Sequence, residues 1–370
     1  MLTDEQIGAW WRLSRLPRVG NLTLNAIRQS LPHSTDLLQL TSDELQQLEL
    51  NAELAHRWQH DSSLNKGVET LLHWRQQAGC DLLLAGVPPY PDSLATLPDA
   101  PLFLFARGHL SALDQPRVAM VGSRNPSRYG SDWAQHNGAV LANCGLTVVS
   151  GLALGIDGAS HQGAVSQGRS IAVLGCGADI IYPRRHQTLA MQLLEHGLIL
   201  SEFLPGTAPR APQFPSRNRI ISGLSMGVVV VEAALRSGSL ITAQQAAEQG
   251  REVMAVPGAV NNPLSQGCHQ LIRDGATLVQ HADDVLQQLG IFGLTAPDAP
   301  SVPNSPAVNS AATPEQWQPG LLSCIDFAPT AVDVIAIRSQ LDVAQLLPQL
   351  LELELSGWLA QSAGGFMRLR

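Results

Sequence analysis

Between residues 115 and 290, short aliphatic runs alternate with helix-length stretches of mixed polarity. The runs are Val118–Val121, Leu146–Val149, Ser170–Leu174, Leu198–Leu200, Gly227–Val231, Glu252–Val256 and Thr277–Val279. Several are near-continuously β-branched or aliphatic, as expected of strands covered on both faces. Such strands, separated by helical segments, predict a parallel sheet with right-handed crossovers, a doubly wound α/β fold. In that architecture ligands bind beyond the carboxyl ends of the strands, so the exit loops are where function is to be sought.

The rest of the chain falls around this block. Residues 1–78 predict a small helical domain: Ile7, Trp10, Trp11, Leu13 and Leu16 recur at helical spacing. Leu16-Pro17-Arg18-Val19-Gly20 then resembles the turn of a helix-hairpin-helix (SAM-like) unit, or a plain helical hairpin. Residues 79–292 form the α/β domain, opening with a proline-rich lead-in (80–112) that favours edge strands and turns. Residues 293–318 carry Pro297, Pro300, Pro303, Pro306 and Pro314 among Ala, Ser and Asn, the composition of a linker. Residues 319–370 read as two or three helices and a hairpin, a winged-helix-like unit.

Charge narrows the function. The net charge is −8, which argues against coating DNA through bulk positive charge. Residues 112–290, however, balance 12 basic against 12 acidic side chains, while 291–370 carry 3 against 7. The α/β block is therefore the part least repulsive to an anion, and the acidic C-terminal unit suits protein contact better than a DNA groove. Of the 23 basic residues all but Lys66 are arginine, a bias that genomic base composition alone can produce. The five cysteines are isolated and form no CxxC pair, no apolar run approaches membrane-spanning length, and the first residues are acidic and polar. Together these predict a reduced, cytoplasmic protein with no membrane insertion.

The exit loops supply the candidate residues. After the first aliphatic run comes Gly122-Ser123-Arg124-Asn125-Pro126-Ser127, where Gly122 removes a Cβ that would block a ligand and Ser123, Arg124 and Ser127 offer donors to an anion. This spacing fits neither GxGxxG nor a Walker A loop. After the second come Gly151, Gly155, Asp157 and His161. Asp157 suits a helix cap or a ribose hydroxyl, and His161 a helix face better than a general base. The third exit holds Cys176, more a small residue in a crowded loop than a nucleophile. Tyr182 follows as a stacking surface, with Arg184 and Arg185 placed to track phosphates. The fourth is Phe214-Pro215-Ser216-Arg217-Asn218-Arg219, whose two arginines cannot share one helix face, so one meets ligand and the other protein. The fifth runs from Glu232 to Ser237-Gly238-Ser239, which opens a helix. Glu232 suits a catalytic carboxylate or, preferably, an ion pair with a nearby arginine. No metal-ligand spacing and no cofactor fingerprint is present.

The ordered set resembles the DNA processing protein A family (DprA, also called Smf). The resemblance rests on VGSR (121–124) with Tyr129-Gly130, SGLALGID (150–157), GCGAD (175–179) with Tyr182-Pro183, FPSRNRIISGLS (214–225), VVVEAALRSGSLITA (229–243) and VPG (256–258). It is strong over residues 80–290 and looser in the flanks. It implies an extended Rossmann-like domain that binds single-stranded DNA, acts as a homodimer and loads the recombinase RecA during natural transformation, without catalysis. Other competence proteins are further expected partners. By position it implies phosphate contacts from Gly122, Ser123, Arg124, Arg184, Arg217, Asn218 and Arg219. The sequence departs from the family at His269, where many relatives carry Asn, and just before Phe214, where some relatives carry Lys and the nearest basic residue here is Arg210, four positions earlier.

Two other readings use the same loops. The lysine-decarboxylase-like (LOG) phosphoribohydrolases share the glycine-rich sheet, but their PGGxGTxxE motif is absent from 232–243. A nucleotide-sensing module is the third.

Overall fold

The structure, a computed structural model, describes residues 3–31, 33, 37–38, 50, 52–291, 321–326, 329–362 and 364–369. It resolves into two compact units, Met1–Pro297 and Asp298–Arg370.

The first unit is built on a nine-stranded sheet: β1 Cys80–Leu84, β2 Phe103–Gly108, β3 Arg117–Val121, β4 Thr147–Ser150, β5 Ser170–Leu174, β6 Leu198–Ser201, β7 Gly227–Val230, β8 Glu252–Ala255 and β9 Thr277–Leu278. The spatial order is β1-β2-β6-β5-β4-β3-β7-β8-β9. From β6 to β9 every pairing is parallel, whereas β1 and β2 join antiparallel at one edge. All seven expected runs are strands, displaced by no more than one residue at either end. The proline-rich lead-in supplies the two antiparallel strands, with its prolines in the connection between them.

Helices α1 Asp4–Ser14, α2 Asn21–Ser30, α3 Ala52–His60 and α4 Val68–Gln76 precede the sheet, and the short α5 Asp92–Ala95 lies between its first two strands. Helices α6 Arg128–Asn143, α7 Ile156–Val165, α8 Gln187–His196, α9 Gln213–Leu224, α10 Gly238–Glu248, α11 Gln266–Arg273 and α12 Ala282–Gln288 follow. Alternate residues of one strand serve opposite layers. Val229 packs with Trp133, Leu141, Ile156 and Val285 on one face, while Val228 packs with Ile220, Ile221, Ala243 and Ala246 on the other. Helices α6, α7 and α12 thus cover one side, and α9 and α10 the other.

The N-terminal helices do not stand apart. Trp10, Trp11, Trp58 and Trp74 share one apolar cluster with Phe103, Phe105, Leu174 and Leu193. Trp74 meets Phe105 edge-on with ring centres 6.1 Å apart. Residues 1–78 thus share a core with the sheet. Between α1 and α2, Arg18 adopts a left-handed φ of 65° and Gly20 caps α2.

The order of the strands decides where a ligand can sit. The chain steps outward from β3 through β4 and β5 to β6, then crosses back to place β7 on the other side of β3. The exits of β3 and β7 therefore diverge to opposite faces and leave a crevice between them.

The second unit packs α13 Val332–Ser339 and α14 Val343–Leu355 against a hairpin of β10 Leu359–Ser362 and β11 Gly365–Arg368. Leu321, Ile335, Leu346, Leu350, Leu353, Leu359 and Phe366 form its core. The fold is a winged helix. Helix α14 carries no basic residue, and its outward side shows Leu347, Leu351 and Leu355 beside Glu352. The expected linker, 293–318, lies outside the described residues. Among the described residues no helix is long and apolar enough to cross a membrane, and no cluster of His, Cys, Asp and Glu is poised to hold a metal.

His161 of α7 is fully buried, with Nδ1 2.7 Å from Ser170 Oγ. Burial, aided by His186 and Arg217, pushes its pKa down to about 3 from 6.5. The folded protein keeps it neutral, while the unfolded chain protonates it below pH 6.5, so stability falls as pH drops from 6.5 towards 3. Denaturant unfolding is expected to lose about 2 kcal/mol between pH 7.5 and 5 from this group. The His161→Gln variant is expected to show a correspondingly flatter profile.

Candidate nucleic-acid interface

A cleft of about 710 Å³ opens at the crevice between the exits of β3 and β7. Gly122 and Arg124 line it from the β3 exit, Asp157 from α7, Tyr182 from the β5 exit, Phe214, Arg217 and Asn218 from α9, and Ser237, Gly238 and Ser239 from the start of α10.

The β3 exit loop is held from below by Glu232. The Glu232 carbonyl accepts the Ser123 N–H at 2.7 Å. Its carboxylate accepts the Ser127 N–H at 2.8 Å and the Ser127 hydroxyl at 2.6 Å. Ser127 Oγ also accepts the Gly130 N–H at 3.1 Å, capping α6. Ser123 Oγ accepts the Asn125 N–H at 3.1 Å. Both hydroxyls are therefore engaged with the protein, and neither residue lines the cleft. Among the described residues Glu232 pairs with no arginine: its carboxylate accepts the N–H of Ser127 beside the positive end of the α6 dipole instead. Gly122 also differs in role from the sequence reading. A Cβ there would lie 2.7 Å from Ile156 Cγ1 and 3.0 Å from the Glu232 carbonyl. The protein's own packing, before any ligand, demands glycine.

What the loop presents is Arg124. Its side chain is exposed and its guanidinium lies 5.8 Å from the centre of the Phe214 ring. Phe214 in turn lies 5.6 Å from Tyr182 at an interplanar angle of 36°. Arg124, Phe214 and Tyr182 thus form one stacked row at the mouth. Sequence reading singled out Tyr182 and Arg124 but not Phe214. Its position immediately before Pro215, at the first turn of α9, was the available signal.

Under the mouth lies Arg217, 4% exposed. Its guanidinium donates to the Gly151 carbonyl at 2.8 Å and also to the Val173 carbonyl. Burial pushes its pKa down to about 10, with Asp157 opposing the shift. Burial likewise pushes the Asp157 carboxyl up, against the pull of Arg217. Asp157 accepts the Gly151 N–H at 3.0 Å. A Cβ at Gly151 would occupy the place of the guanidinium, and one at Gly155 (φ +81°) would strike the Ser123 carbonyl. These two glycines let loops and a buried cation pack together.

Both arginines of the Arg217-Asn218-Arg219 segment meet protein. Arg219 pairs with Glu202 at 2.6 Å and Asp99 at 3.3 Å, away from the cleft. Half-buried Asn218 remains on the lining. Arg184 and Arg185 are exposed on a short turn outside the cleft. Arg185 borders a separate hollow with His186, Gln192 and His196, and neither arginine forms an ion pair among the described residues. Ser237 caps α10 and lies 2.7 Å, oxygen to oxygen, from the Ser239 hydroxyl. Gly238 differs from Gly122, Gly151 and Gly155, because a Cβ there would meet no protein atom within 4 Å. Its exposed backbone faces open cleft.

The remaining candidates are engaged with the protein's own interior. Burial raises the Cys176 thiol to about 11 and the Cys268 thiol to about 12, leaving both protonated. His269 Nε2 lies 3.0 Å from the Gly258 carbonyl and off the cleft lining. The lining thus offers one exposed guanidinium, a second behind it matched by Asp157, two aromatic faces and a helix start. That set suits a phosphate flanked by a flat, stackable group.

The chain is similar to known proteins. The family model for DNA recombination-mediator protein A matches residues 81–290, and that for the DprA winged helix domain matches residues 305–365. Protein Smf of Escherichia coli is 47% identical over 334 residues, covering 88% of this chain and 87% of its own. DNA processing protein A of Streptococcus pneumoniae has a crystal structure that superposes with a TM-score of 0.65 at 36% identity, over 78% of this chain and 98% of that one. The protein of the same name from Helicobacter pylori, described for its single-stranded DNA binding mode, superposes at 0.52 and 29% identity, over 57% and 95%.

The two cleft arginines should separate in a stability measurement. Arg217→Met leaves Asp157 and two carbonyls without their buried partner and is expected to cost about 3–5 kcal/mol in denaturant unfolding. Arg124→Ala, at an exposed position, is expected to change it by less than about 0.5 kcal/mol.

Proposed function

The chain belongs to the DNA recombination-mediator protein A (DprA/Smf) family, and on that premise we propose that it binds single-stranded DNA at the β3/β7 cleft without chemical turnover. The observation that carries this is the row of Arg124, Phe214 and Tyr182 above the open backbone of Gly238. A guanidinium for the phosphate, two rings for the bases and a glycine approachable to contact distance match a flexible strand whose bases are unpaired. A duplex keeps its base faces inside the stack and gains only the charge term. The single-stranded DNA binding described for the Helicobacter pylori relative supports the same assignment.

The proposal extends to the rest of the molecule as the family implies: a cytoplasmic homodimer that protects incoming single strands during natural transformation and delivers them to RecA. The division at 1–78, 79–292, 293–318 and 319–370 belongs to it, with the cleft in the second segment. Among the earlier candidates, Arg124, Asn218, Ser237, Gly238 and Ser239 would touch the strand directly. Gly122, Ser123, Ser127, Gly151, Gly155 and Arg217 would shape the surface, and Arg184 and Arg185 would meet phosphates beyond the cleft. Glu232 speaks against the hydrolase alternative: it is 4% exposed and both its oxygens accept bonds from Ser127.

Fluorescence anisotropy over a salt series tests this. Wild type is expected to prefer a single-stranded to a double-stranded oligonucleotide, with a log–log salt slope of about −2 per protomer if about three phosphates are neutralised. Arg124→Ala should weaken binding and reduce the slope by about 0.7. Gly238→Ala should leave the unfolding free energy within about 0.5 kcal/mol of wild type while weakening DNA binding. A folded wild type that ignores oligonucleotides at low salt, or releases free base from a nucleoside monophosphate, would overturn the proposal.

A further inference from the structure

Glu232 is a buried carboxylate that forms no ion pair among the described residues. Among the described residues, its three polar contacts go to one short segment, the β3 exit loop. Its carbonyl holds Ser123 at the start of that loop, and its carboxylate holds Ser127 at the end. Between these two anchors the chain contains only Arg124, Asn125 and Pro126. The neighbouring glycine leaves room for this clamp: a Cβ on Gly130 would lie 2.6 Å from the Glu232 carboxyl carbon. Because Glu232 follows β7 directly and the loop follows β3, the clamp also spans the two strands whose divergence makes the cleft.

We infer that Glu232 is a positioning residue for DNA: it fixes the β3 exit loop so that Arg124 stands over Phe214 ready to meet a phosphate. This rests on the single-stranded DNA reading of the cleft. A negative charge placed near a phosphate site would ordinarily repel the ligand. Here the carboxylate is turned into the protein and its charge is absorbed by an N–H at the start of α6 and a hydroxyl. The strand then meets only the loop's outer face and its arginine. A rigid loop also spares the ordering cost of a mobile arginine at each binding event.

The test pairs Glu232→Ala with Glu232→Gln in the full chain, reading single-strand affinity and its salt slope by anisotropy. Glu232→Ala is expected to weaken binding about tenfold or more and to reduce the salt slope by about 0.7, as if one phosphate contact were lost. Glu232→Gln keeps an acceptor for the Ser127 N–H and is expected to recover most of both. In the Glu232→Ala background, Arg124→Ala should cost less than about twofold, because the arginine is already out of place. A variant that merely lowers the folded fraction would lose amplitude at unchanged slope, and that outcome would overturn the inference. So would fully additive losses from Glu232→Ala and Arg124→Ala. A wild type that does not bind single strands would instead sink the underlying reading. If Glu232→Ala does not fold, Ser127→Ala, which removes one of the two carboxylate contacts, replaces it. An unchanged slope and affinity there would equally count against the clamp.

Discussion

The Arg217 guanidinium is the point at which the cleft is tied together. It reaches from α9 to the carbonyl of Gly151 beyond β4 and to that of Val173 within β5, and it faces Asp157 on α7. An arginine taken out of water is costly unless its donors and its charge are matched. Here one nitrogen donates to two carbonyls and a carboxylate opposes the charge, each from a different segment, while Nε has no hydrogen-bond partner among the described residues. Once they are gathered around the cation, the β4 exit, α7 and α9 have little freedom to move apart. The glycines follow from this. Gly151 makes room for the guanidinium, and Gly155, with φ +81°, brings the start of α7 against the Ser123 carbonyl.

This explains which parts of the site were legible from sequence. The strands were, because a buried parallel strand leaves an aliphatic run that little else produces. The cleft's location was, because strand order and exit loops determine it. The division of labour inside the loops was not. Glycines, serines and arginines in a strand exit look alike whether they meet a ligand or one another. Ser123 and Ser127 satisfy Glu232 and the loop backbone, Arg217 satisfies carbonyls, and Arg219 satisfies Glu202 and Asp99. Only partner atoms distant in sequence reveal this. Phe214 was missed for the converse reason: an aromatic at a helix start reads as core until its neighbours are known.

Gly238 shows how the two cases can be told apart. Where a glycine is needed by the fold, an added Cβ runs into protein, as at Gly122, Gly151 and Gly155. At Gly238 it meets no protein atom within 4 Å, as also at Gly20 outside the cleft, so packing does not require glycine there. A residue whose conformational freedom costs folding entropy, with no packing return, fits best where something from outside comes close.

Charge completes the argument. A surface of net charge −8 does not attract a polyanion at long range, so on the proposed reading affinity would be generated where the strand touches. The α/β segment, with 12 basic and 12 acidic residues between 112 and 290, buries or pairs part of its charge and leaves other arginines exposed. Arg219 is neutralised by its acids, Arg217 by Asp157, and Arg124 is left to solvent above an aromatic face. Contacts so local are weak singly. Repeated along a strand by two linked copies, they would gain by effective concentration rather than by any new interaction. Helix α14 offers no help in this, since its outward side is leucine and glutamate. On the proposed reading, the strand is met at the crevice between the exits of β3 and β7.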